Sequence, residues 1–280
     1  MASEVVALLG GRGMLGRDVA AVCAARGHEV LVYDLPEFDI TNESHLAQAV
    51  EAADVVINCA AYTNVDGAES HSELAQRVNG EAVGRLGQLA RHSGKWVLHF
   101  STDFVFDGTL DRPYVETDPP NPINEYGRSK LAGEVLLQES GCSHCLVRLE
   151  WTYGRHGQNF VTKLVERART RESLCVVNDQ VGSPTATTEV AKAVGDLLPQ
   201  RSQGLYHFAG AEYVSRYDLA VFILERLGLS VELKPWRTSE HPAPAARPLN
   251  SRFDCRKIQP LLRESIAPWQ GPLERFLREL

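Results

Sequence analysis

Short, mostly apolar runs alternate with helical patterns along the first 200 residues of this 280-residue chain. A strand that is apolar throughout has no face for water, so it must be covered on both sides. Such strands, separated by helices, predict an α/β fold of Rossmann type, in which helices cover both faces of a doubly wound parallel sheet. The predicted strands are Val5–Leu9, Glu29–Tyr33, Val55–Asn58, Trp96–Phe100, Cys145–Arg148 and Leu174–Val177.

A glycine-rich loop follows the first predicted strand and opens the first predicted helix. Its glycines, Gly10, Gly13 and Gly16, are spaced three residues apart. Glycine lets the chain turn tightly and lets backbone N–H groups approach a pyrophosphate, which the N-terminus of a helix also attracts. The strand–loop–helix context therefore predicts a dinucleotide-binding site at these glycines.

Asp34 ends the second predicted strand, 24 residues after Gly10. A carboxylate at this point accepts hydrogen bonds from the adenosine ribose and repels a 2′-phosphate, which favours NAD over NADP. Arg12 in the glycine loop opposes this preference, because a guanidinium pairs well with a phosphate. Asp39 and Ile40 follow shortly and are predicted to flank the adenine.

Tyr126 and Lys130 are four residues apart in a predicted helix, Tyr126–Gln138, so their side chains lie on one face. A nearby ammonium stabilises a phenolate, and we expect Lys130 to lower the pKa of Tyr126. Tyr126 is then predicted to donate a proton to a developing alkoxide. Thr102 follows the fourth predicted strand, at the sheet edge where ligands bind, and is predicted to bond the substrate oxygen or the tyrosine hydroxyl.

The combined motifs resemble the dTDP-4-dehydrorhamnose reductase family of the extended short-chain dehydrogenases. Beyond the glycine loop, short segments in a specific order along nearly the whole chain carry the resemblance. They are Asn58–Asp66, Ser101–Phe106, Tyr126–Glu134, Arg148 with Trp151–Gly154, Asn159–Phe160, Asn178–Thr185 and Arg247–Arg252.

The resemblance implies NAD(P)H-dependent reduction of the 4-keto group of a dTDP-4-keto-6-deoxyhexose, such as dTDP-4-dehydrorhamnose to dTDP-L-rhamnose. Tyr126 would supply the proton, and Lys130 would also hold the nicotinamide ribose. The further cofactor contacts that it implies are Gly13, Met14, Leu15, Ala61, Tyr62, Thr63 and Tyr126 itself. The implied substrate contacts are Thr102, Asp103, Tyr126, Trp151 and Arg247.

Two positions depart from the family pattern. Leu149-Glu150 stand where small hydroxyl residues are usual, and Gly67 stands where some relatives carry lysine. A carboxylate at position 150 would alter the choice of sugar or pair with a neighbour. Both departures leave the hydride chemistry untouched.

Two alternative functions stay open. One is a nucleotide-sugar epimerase or 4,6-dehydratase of the same superfamily, since a dehydratase is expected to carry an acid directly after its strand-end threonine, as Asp103 does here. The other is a non-catalytic dinucleotide-binding subunit, similar to the one that regulates methionine adenosyltransferase. The intact Tyr126, Lys130 and Thr102 favour catalysis.

The motifs also suggest how the chain divides. Residues 1–150 together with 174–200 are predicted to form the dinucleotide-binding domain. Residues 151–173 together with 201–280 are predicted to form a smaller substrate-binding lobe. Because the strand at 174–177 is expected to return to the main sheet, the two parts would interleave.

The charge balance limits the kinds of partner. The chain has 29 Lys+Arg against 36 Asp+Glu, a net charge of −7, which argues against nucleic acid or an anionic membrane as the main partner. No apolar run approaches the roughly 18 residues of a membrane helix, and the N-terminus lacks the basic start of a signal peptide. We therefore expect a cytoplasmic enzyme, and the resemblance is compatible with a homodimer.

A metal site is not predicted. Some relatives bind magnesium through acidic side chains at a dimer interface, and the comparable positions here hold Asp18, Glu189 and Glu279. Scattered carboxylates are more often solvated surface groups. Mg²⁺ stays an alternative that a partner chain would have to complete.

Overall fold

The structure is a computed structural model that describes residues 3–280. Its strands are β1 (Val5–Leu9), β2 (Glu29–Tyr33), β3 (Val55–Asn58), β4 (Trp96–Thr102), β5 (Ser143–Leu149), β6 (Thr152–Tyr153), β7 (Ser173–Val177), β8 (Val181–Gly182), β9 (Thr185–Ala186), β10 (Gly204–Phe208), β11 (Val214–Ser215) and β12 (Glu232–Trp236). Its helices are α1 (Met14–Ala25), α2 (Glu43–Glu51), α3 (Val65–Ala68), α4 (Ser72–Gln76), α5 (Ala82–His92), α6 (Glu125–Glu139), α7 (Phe160–Ala168), α8 (Thr187–Gln200), α9 (Arg216–Leu227) and α10 (Gln270–Leu277).

A six-stranded parallel sheet forms the centre, in the spatial order β10-β5-β4-β3-β1-β2. The chain pairs β2 on one side of β1 and then crosses to pair β3 on the other side. In an open α/β sheet the ligand crevice lies outside the carboxyl ends of the strands, at the point where the order reverses. The predicted Rossmann-type α/β fold is confirmed.

Alternate residues of β1 show how the sheet is covered on both faces. Val6 and Leu8 pack in one core with side chains of α1 and α8, whereas Ala7 and Leu9 pack in a second core with α2 and α5. All four side chains are fully buried. Burial on both faces explains why these strands read as continuous apolar runs.

A smaller lobe is built from α7, α9 and α10 together with the two-stranded sheet of β7 and β12. Its core includes Leu164, Leu174, Ile223 and Leu273, all of which are buried. Within residues 3–280, no helix combines the length and the apolar composition needed to cross a membrane.

The sixth strand of the main sheet differs from the prediction. Residues 174–177 were expected to return to that sheet, but they lie in β7, which pairs with β12 in the smaller lobe. The position is filled instead by β10, which pairs in parallel with β5. Ser173 and Cys175 of β7 are exposed, so this strand needs cover on one face only. The rest of the two-domain division stays a prediction.

The long helix expected from Leu74 to His92 is interrupted. It consists of α4, a π-helical turn over Arg77–Glu81, and α5. A π-helical turn inserts one extra residue into a helix and is frequent at functional sites. This turn brings the buried Asn79 next to the predicted site.

Candidate active site

A cavity of about 640 Å³ opens at the carboxyl ends of the main sheet. That volume is within the usual range for small-molecule sites. Most of the residues that the sequence predicted to bind cofactor or substrate line it. They are Gly10, Gly13, Met14, Leu15, Gly16, Asp34, Asp39, Ile40, Ala61, Thr63, Thr102, Asp103, Tyr126, Lys130 and Trp151.

The glycine loop is shaped so that side chains are excluded from it. Gly10 has a φ of +71°, and a Cβ added there would lie 2.6 Å from the backbone nitrogen of Ala60. A Cβ at Gly16 would collide with the carbonyl oxygen of Gly10. Gly13 caps α1 without a side-chain acceptor, which leaves the first N–H groups of the helix for a ligand. These features fit the pyrophosphate of a dinucleotide.

Asp34 and Arg12 are both held in place at the end of β2. The Asp34 carboxylate accepts the backbone N–H groups of Arg12 and Leu35, each at 2.8 Å. The Arg12 guanidinium donates to Glu37 at 2.7 Å, in a pair that is largely exposed. Asp34 therefore presents its carboxylate to the cavity. Arg12, whose charge was expected to favour a 2′-phosphate, is already paired with Glu37.

Tyr126 is positioned by the first turn of α6. The buried Asn124 caps the helix by accepting the Gly127 N–H at 2.7 Å, and its amide donates to the Ala246 carbonyl at 2.8 Å. A Cβ at Gly127 would collide with the carbonyl oxygen of Phe104. Glycine here therefore allows α6 to approach the turn that follows β4.

The environment of Tyr126 corrects the expected pKa. Burial and, to a smaller extent, the charge of Asp103 raise the pKa of Tyr126 to about 12, and the Thr102 hydroxyl opposes this rise. Lys130 does not lower this pKa as expected, and its ammonium donates instead to the carbonyl of Phe100 at 2.7 Å. Tyr126 therefore keeps its proton at neutral pH, as a proton donor requires.

Lys130 is buried, with 2% of its surface exposed. Burial lowers the pKa of Lys130 to about 8, and the charge of Glu134 opposes this change. Its Nζ also lies 3.4 Å from Nε2 of His99. Burial lowers the pKa of His99 well below its usual range, so the ring is neutral.

Asn79, whose role the sequence did not reveal, connects two segments of the site. Its amide oxygen accepts the Tyr62 N–H at 2.8 Å, and its amide nitrogen donates to the Tyr62 carbonyl and to the Ser129 hydroxyl. Tyr62 itself does not line the cavity, unlike its neighbours Ala61 and Thr63. No local sequence signal marks the π-helical turn that carries Asn79.

Asp103 is buried at the end of β4 and holds two hydroxyl groups. Its carboxylate accepts the Thr102 hydroxyl at 3.0 Å and the Ser251 hydroxyl at 2.5 Å. Burial raises the pKa of Asp103, and these two hydrogen bonds lower it. Ser251 belongs to the last segment that carried the family resemblance, although no role followed from it.

Arg247, a predicted substrate contact, is not brought to the cavity. Its guanidinium forms a bidentate pair with Asp66, at 2.7 and 3.0 Å. Three groups that sequence reasoning missed do line the cavity: Phe38, Asn159 and Arg216. Of these, only Asn159 belonged to a segment that carried the family resemblance.

Glu150, the departure from the family pattern, is buried directly after β5. Its carboxylate accepts the backbone N–H of Ser183 at 2.8 Å and that of Phe253 at 3.2 Å. Burial raises the pKa of Glu150 well above its usual range, and these hydrogen bonds oppose the rise. Of the two expectations for this residue, pairing with a neighbour is the one that the structure shows.

The three carboxylates considered for Mg²⁺ have other partners. Asp18 accepts the Thr187 hydroxyl at 2.5 Å, Glu189 pairs with Lys192 and Arg275, and Glu279 pairs with Arg155. Among residues 3–280, no group of three or more potential ligands is clustered for a metal ion. These side chains do not fit a magnesium site within this chain.

Together, the fold and the cavity define an NAD(P)-dependent oxidoreductase of Rossmann type. The chain belongs to the dTDP-4-dehydrorhamnose reductase family: the family model "RmlD substrate binding domain" matches residues 4–280. The dTDP-4-dehydrorhamnose reductase of Escherichia coli K12 is 34% identical over 292 residues, covering 98% of this chain and 97% of that protein. The Mycolicibacterium smegmatis protein of the same name is 40% identical over 279 residues, covering 98% and 85%.

A solved structure of a relative has the same fold over the whole chain. The dTDP-4-dehydrorhamnose reductase of Bacillus anthracis, crystallised in complex with NADP, superposes with a TM-score of 0.95 at 32% identity. The match covers 100% of both chains.

Proposed function

We propose that this chain reduces the 4-keto group of a dTDP-4-keto-6-deoxyhexose with NADH or NADPH, for example dTDP-4-dehydrorhamnose to dTDP-L-rhamnose. The observation that carries the proposal is the presence of Tyr126 and Thr102 in one cavity with the glycine loop and Trp151. Relatives that are 34% and 40% identical over nearly the whole chain are named for this reaction.

The proton donor is Tyr126. NAD(P)H, when bound, would supply the hydride and its electron pair for the new C–H bond at the ketone carbon. As that bond forms, the electrons of the carbonyl double bond move to the oxygen. The Tyr126 hydroxyl donates its proton to this oxygen, which completes the alcohol. Thr102 lines the same cavity, and in this proposal its hydroxyl orients the phenol for this step.

Lys130 holds the nicotinamide ribose in this proposal. Its ammonium is anchored on the Phe100 carbonyl at 2.7 Å, and an ammonium has three donors, so further N–H groups remain for a ribose hydroxyl. Asp34 receives the adenosine ribose at the other end of the cofactor and favours NADH, because a 2′-phosphate would meet its negative charge.

The decisive experiment compares Tyr126→Phe with wild type. We expect wild-type protein to oxidise NADH or NADPH when given a dTDP-4-keto-6-deoxyhexose, followed by absorbance at 340 nm. Loss of the phenol hydroxyl should lower kcat by about 10²- to 10⁴-fold while lowering dinucleotide affinity far less. Tyr206→Phe is the matched control, since the Tyr206 hydroxyl donates to the Gln203 carbonyl and lies outside the cavity.

The same assay distinguishes the alternative functions. Product formation without net consumption of the cofactor would identify an epimerase or a dehydratase. Tight dinucleotide binding without turnover of any 4-keto nucleotide sugar would identify a regulatory subunit. Either result would contradict the proposed reduction.

A further inference from the structure

The guanidinium of Arg216 lies on the cavity wall between two aromatic rings. Arg216 is the first residue of α9. Its Cζ is 3.5 Å from the centre of the Trp151 ring and 4.7 Å from that of Phe160. A guanidinium stacked on aromatic rings is fixed in orientation, and its N–H donors stay in its own plane, where acceptors can reach them.

The residue on which Arg216 stacks is itself in an unusual conformation. Trp151 has a φ of +44°, in the left-handed region that residues other than glycine seldom occupy. Strained backbone of this kind is held by its surroundings and is concentrated at ligand-binding sites. The surrounding structure therefore holds the Trp151–Arg216 pair in a fixed position on the cavity wall.

Arg216 has no anionic partner of its own. Within residues 3–280, no carboxylate oxygen comes within 4.0 Å of its side-chain nitrogens, and its side chain makes no hydrogen bond. Burial lowers the pKa of Arg216 to about 9, and the charges of Asp103 and Glu150 oppose this change. A desolvated cation without a partner is costly for a protein to maintain.

The two nearby acids are occupied elsewhere. The Asp103 carboxylate holds the hydroxyls of Thr102 and Ser251, as described above. The Glu150 carboxylate holds backbone N–H groups. Neither acid is therefore a hydrogen-bond partner of Arg216, and the donors of the guanidinium stay available to an anion that enters this part of the cavity. An anionic ligand must then depend strongly on the guanidinium.

We propose that Arg216 binds the diphosphate of the nucleotide-sugar substrate. The inference rests on the proposed function, which supplies a substrate with a diphosphate. Planar guanidinium groups bind phosphate oxygens in pairs, with more strength and better geometry than a lysine ammonium. The N-terminus of α1 at the glycine loop serves the pyrophosphate of the dinucleotide, so each of the two ligands has its own anion-binding group.

The test measures binding of dTDP by calorimetry to wild type, Arg216→Gln, Arg216→Lys and Arg226→Gln. Arg226 is the matched control, because it is an arginine of the same helix that pairs with Glu274 outside the cavity. We expect Arg216→Gln to raise the Kd for dTDP by about 30-fold and Arg216→Lys to raise it less. Arg226→Gln should bind dTDP like wild type.

Two further ligands show whether the effect belongs to the diphosphate. The Kd for NADH should be the same in all four proteins, which also shows that the variants are folded. Thymidine, which lacks the diphosphate, should bind Arg216→Gln and wild type equally. An equal loss for thymidine and dTDP would overturn the assignment of Arg216 to the diphosphate.

The result separates this inference from the proposed function. If wild type reduces the keto sugar but Arg216→Gln binds dTDP as tightly as wild type, the inference is wrong and the function stands. If dTDP binding depends on Arg216 but no 4-keto sugar is reduced, the function is wrong and the anion site stands. If wild type does not bind dTDP, both are wrong.

Discussion

Among single residues, Tyr126 shows how burial determines the protonation state of a reactive group. The motif suggested that Lys130 would lower its pKa, but burial and Asp103 raise the pKa to about 12. A reductase needs the phenol with its proton, so this environment suits the proposed direction of the reaction. The sequence predicted Tyr126 as the proton donor, whereas its protonation state depends on neighbours that only the folded chain brings together.

Asp34 makes the choice between the two cofactors testable. We expect Asp34→Ala to raise the NADPH-to-NADH ratio of kcat/KM by about tenfold, because the repulsion between its carboxylate and a 2′-phosphate is removed. The ratio is measured from initial rates with each cofactor. Glu29→Ala, on the exposed start of the same strand, should leave it unchanged. An unchanged ratio in Asp34→Ala would contradict the assigned role.

The predicted site residues differ in how well the sequence could place them. Gly10 and Thr102 lie at strand ends, Tyr126 lies in a motif with helical spacing, and all three line the cavity. Arg247 belonged to a family segment, but its side chain pairs with Asp66. Arg216 could not be predicted, because the fold brings it to Trp151 across 65 residues of chain without a local motif.

Among the structural elements, α6 carries most of the reactive groups, and its first turn depends on a single cap. We expect Asn124→Ala to lower the free energy of unfolding by about 1–2 kcal/mol, since the cap of α6 is lost, and also to lower kcat because Tyr126 moves. Urea unfolding and the reductase assay measure the two effects.

A second asparagine cap provides the control. Asn42 caps α2 by accepting the N–H groups of Ser44 and His45, and α2 packs away from Tyr126. Asn42→Ala should cost a similar free energy of unfolding while kcat is retained. An equal loss of kcat in both variants would mean that general stability, and not the placement of Tyr126, limits turnover.

The π-helical turn of Arg77–Glu81 is a feature that the periodicity of apolar residues did not predict. Leu74–His92 matches a helical pattern well enough to predict one helix, because the π-helical turn is only five residues long and has α-helix on both sides. The interruption of the helix is instead associated with tertiary contacts. Asn79 is buried where it bonds to Tyr62 and Ser129, and these contacts come from other parts of the chain.

In the whole molecule, the pairing of strands was the part of the fold that sequence patterns predicted least well. Residues 174–177 and 204–208 are both short apolar runs, and either could complete the sheet. What separates them is exposure: Cys175 of β7 faces solvent, whereas β10 ends in three buried residues. The first five strands along the chain were predicted from the local patterns, because each of those runs is apolar throughout or nearly so.

Glu150 connects three separate parts of the molecule, which predicts a large effect on stability. We expect Glu150→Ala to lower the free energy of unfolding by about 2–5 kcal/mol, because two buried N–H groups lose their acceptor. Glu150→Gln should lose less, since its amide retains one accepting oxygen. Urea unfolding measures both variants, and equal stability of Glu150→Ala and wild type would contradict this role.

Segments of the main sheet and of the smaller lobe alternate along the chain. The chain leaves the sheet after β5, returns to it with α8 and β10, leaves again at α9, and returns once more with Ile258 before α10. A genetic exchange that replaced the lobe would therefore have to insert several separate segments and preserve every crossing between them. Single substitutions, such as those at Glu150 or Arg216, leave the crossings intact. Substrate preference in such a chain can therefore drift by point mutation while the reduction chemistry is inherited unchanged.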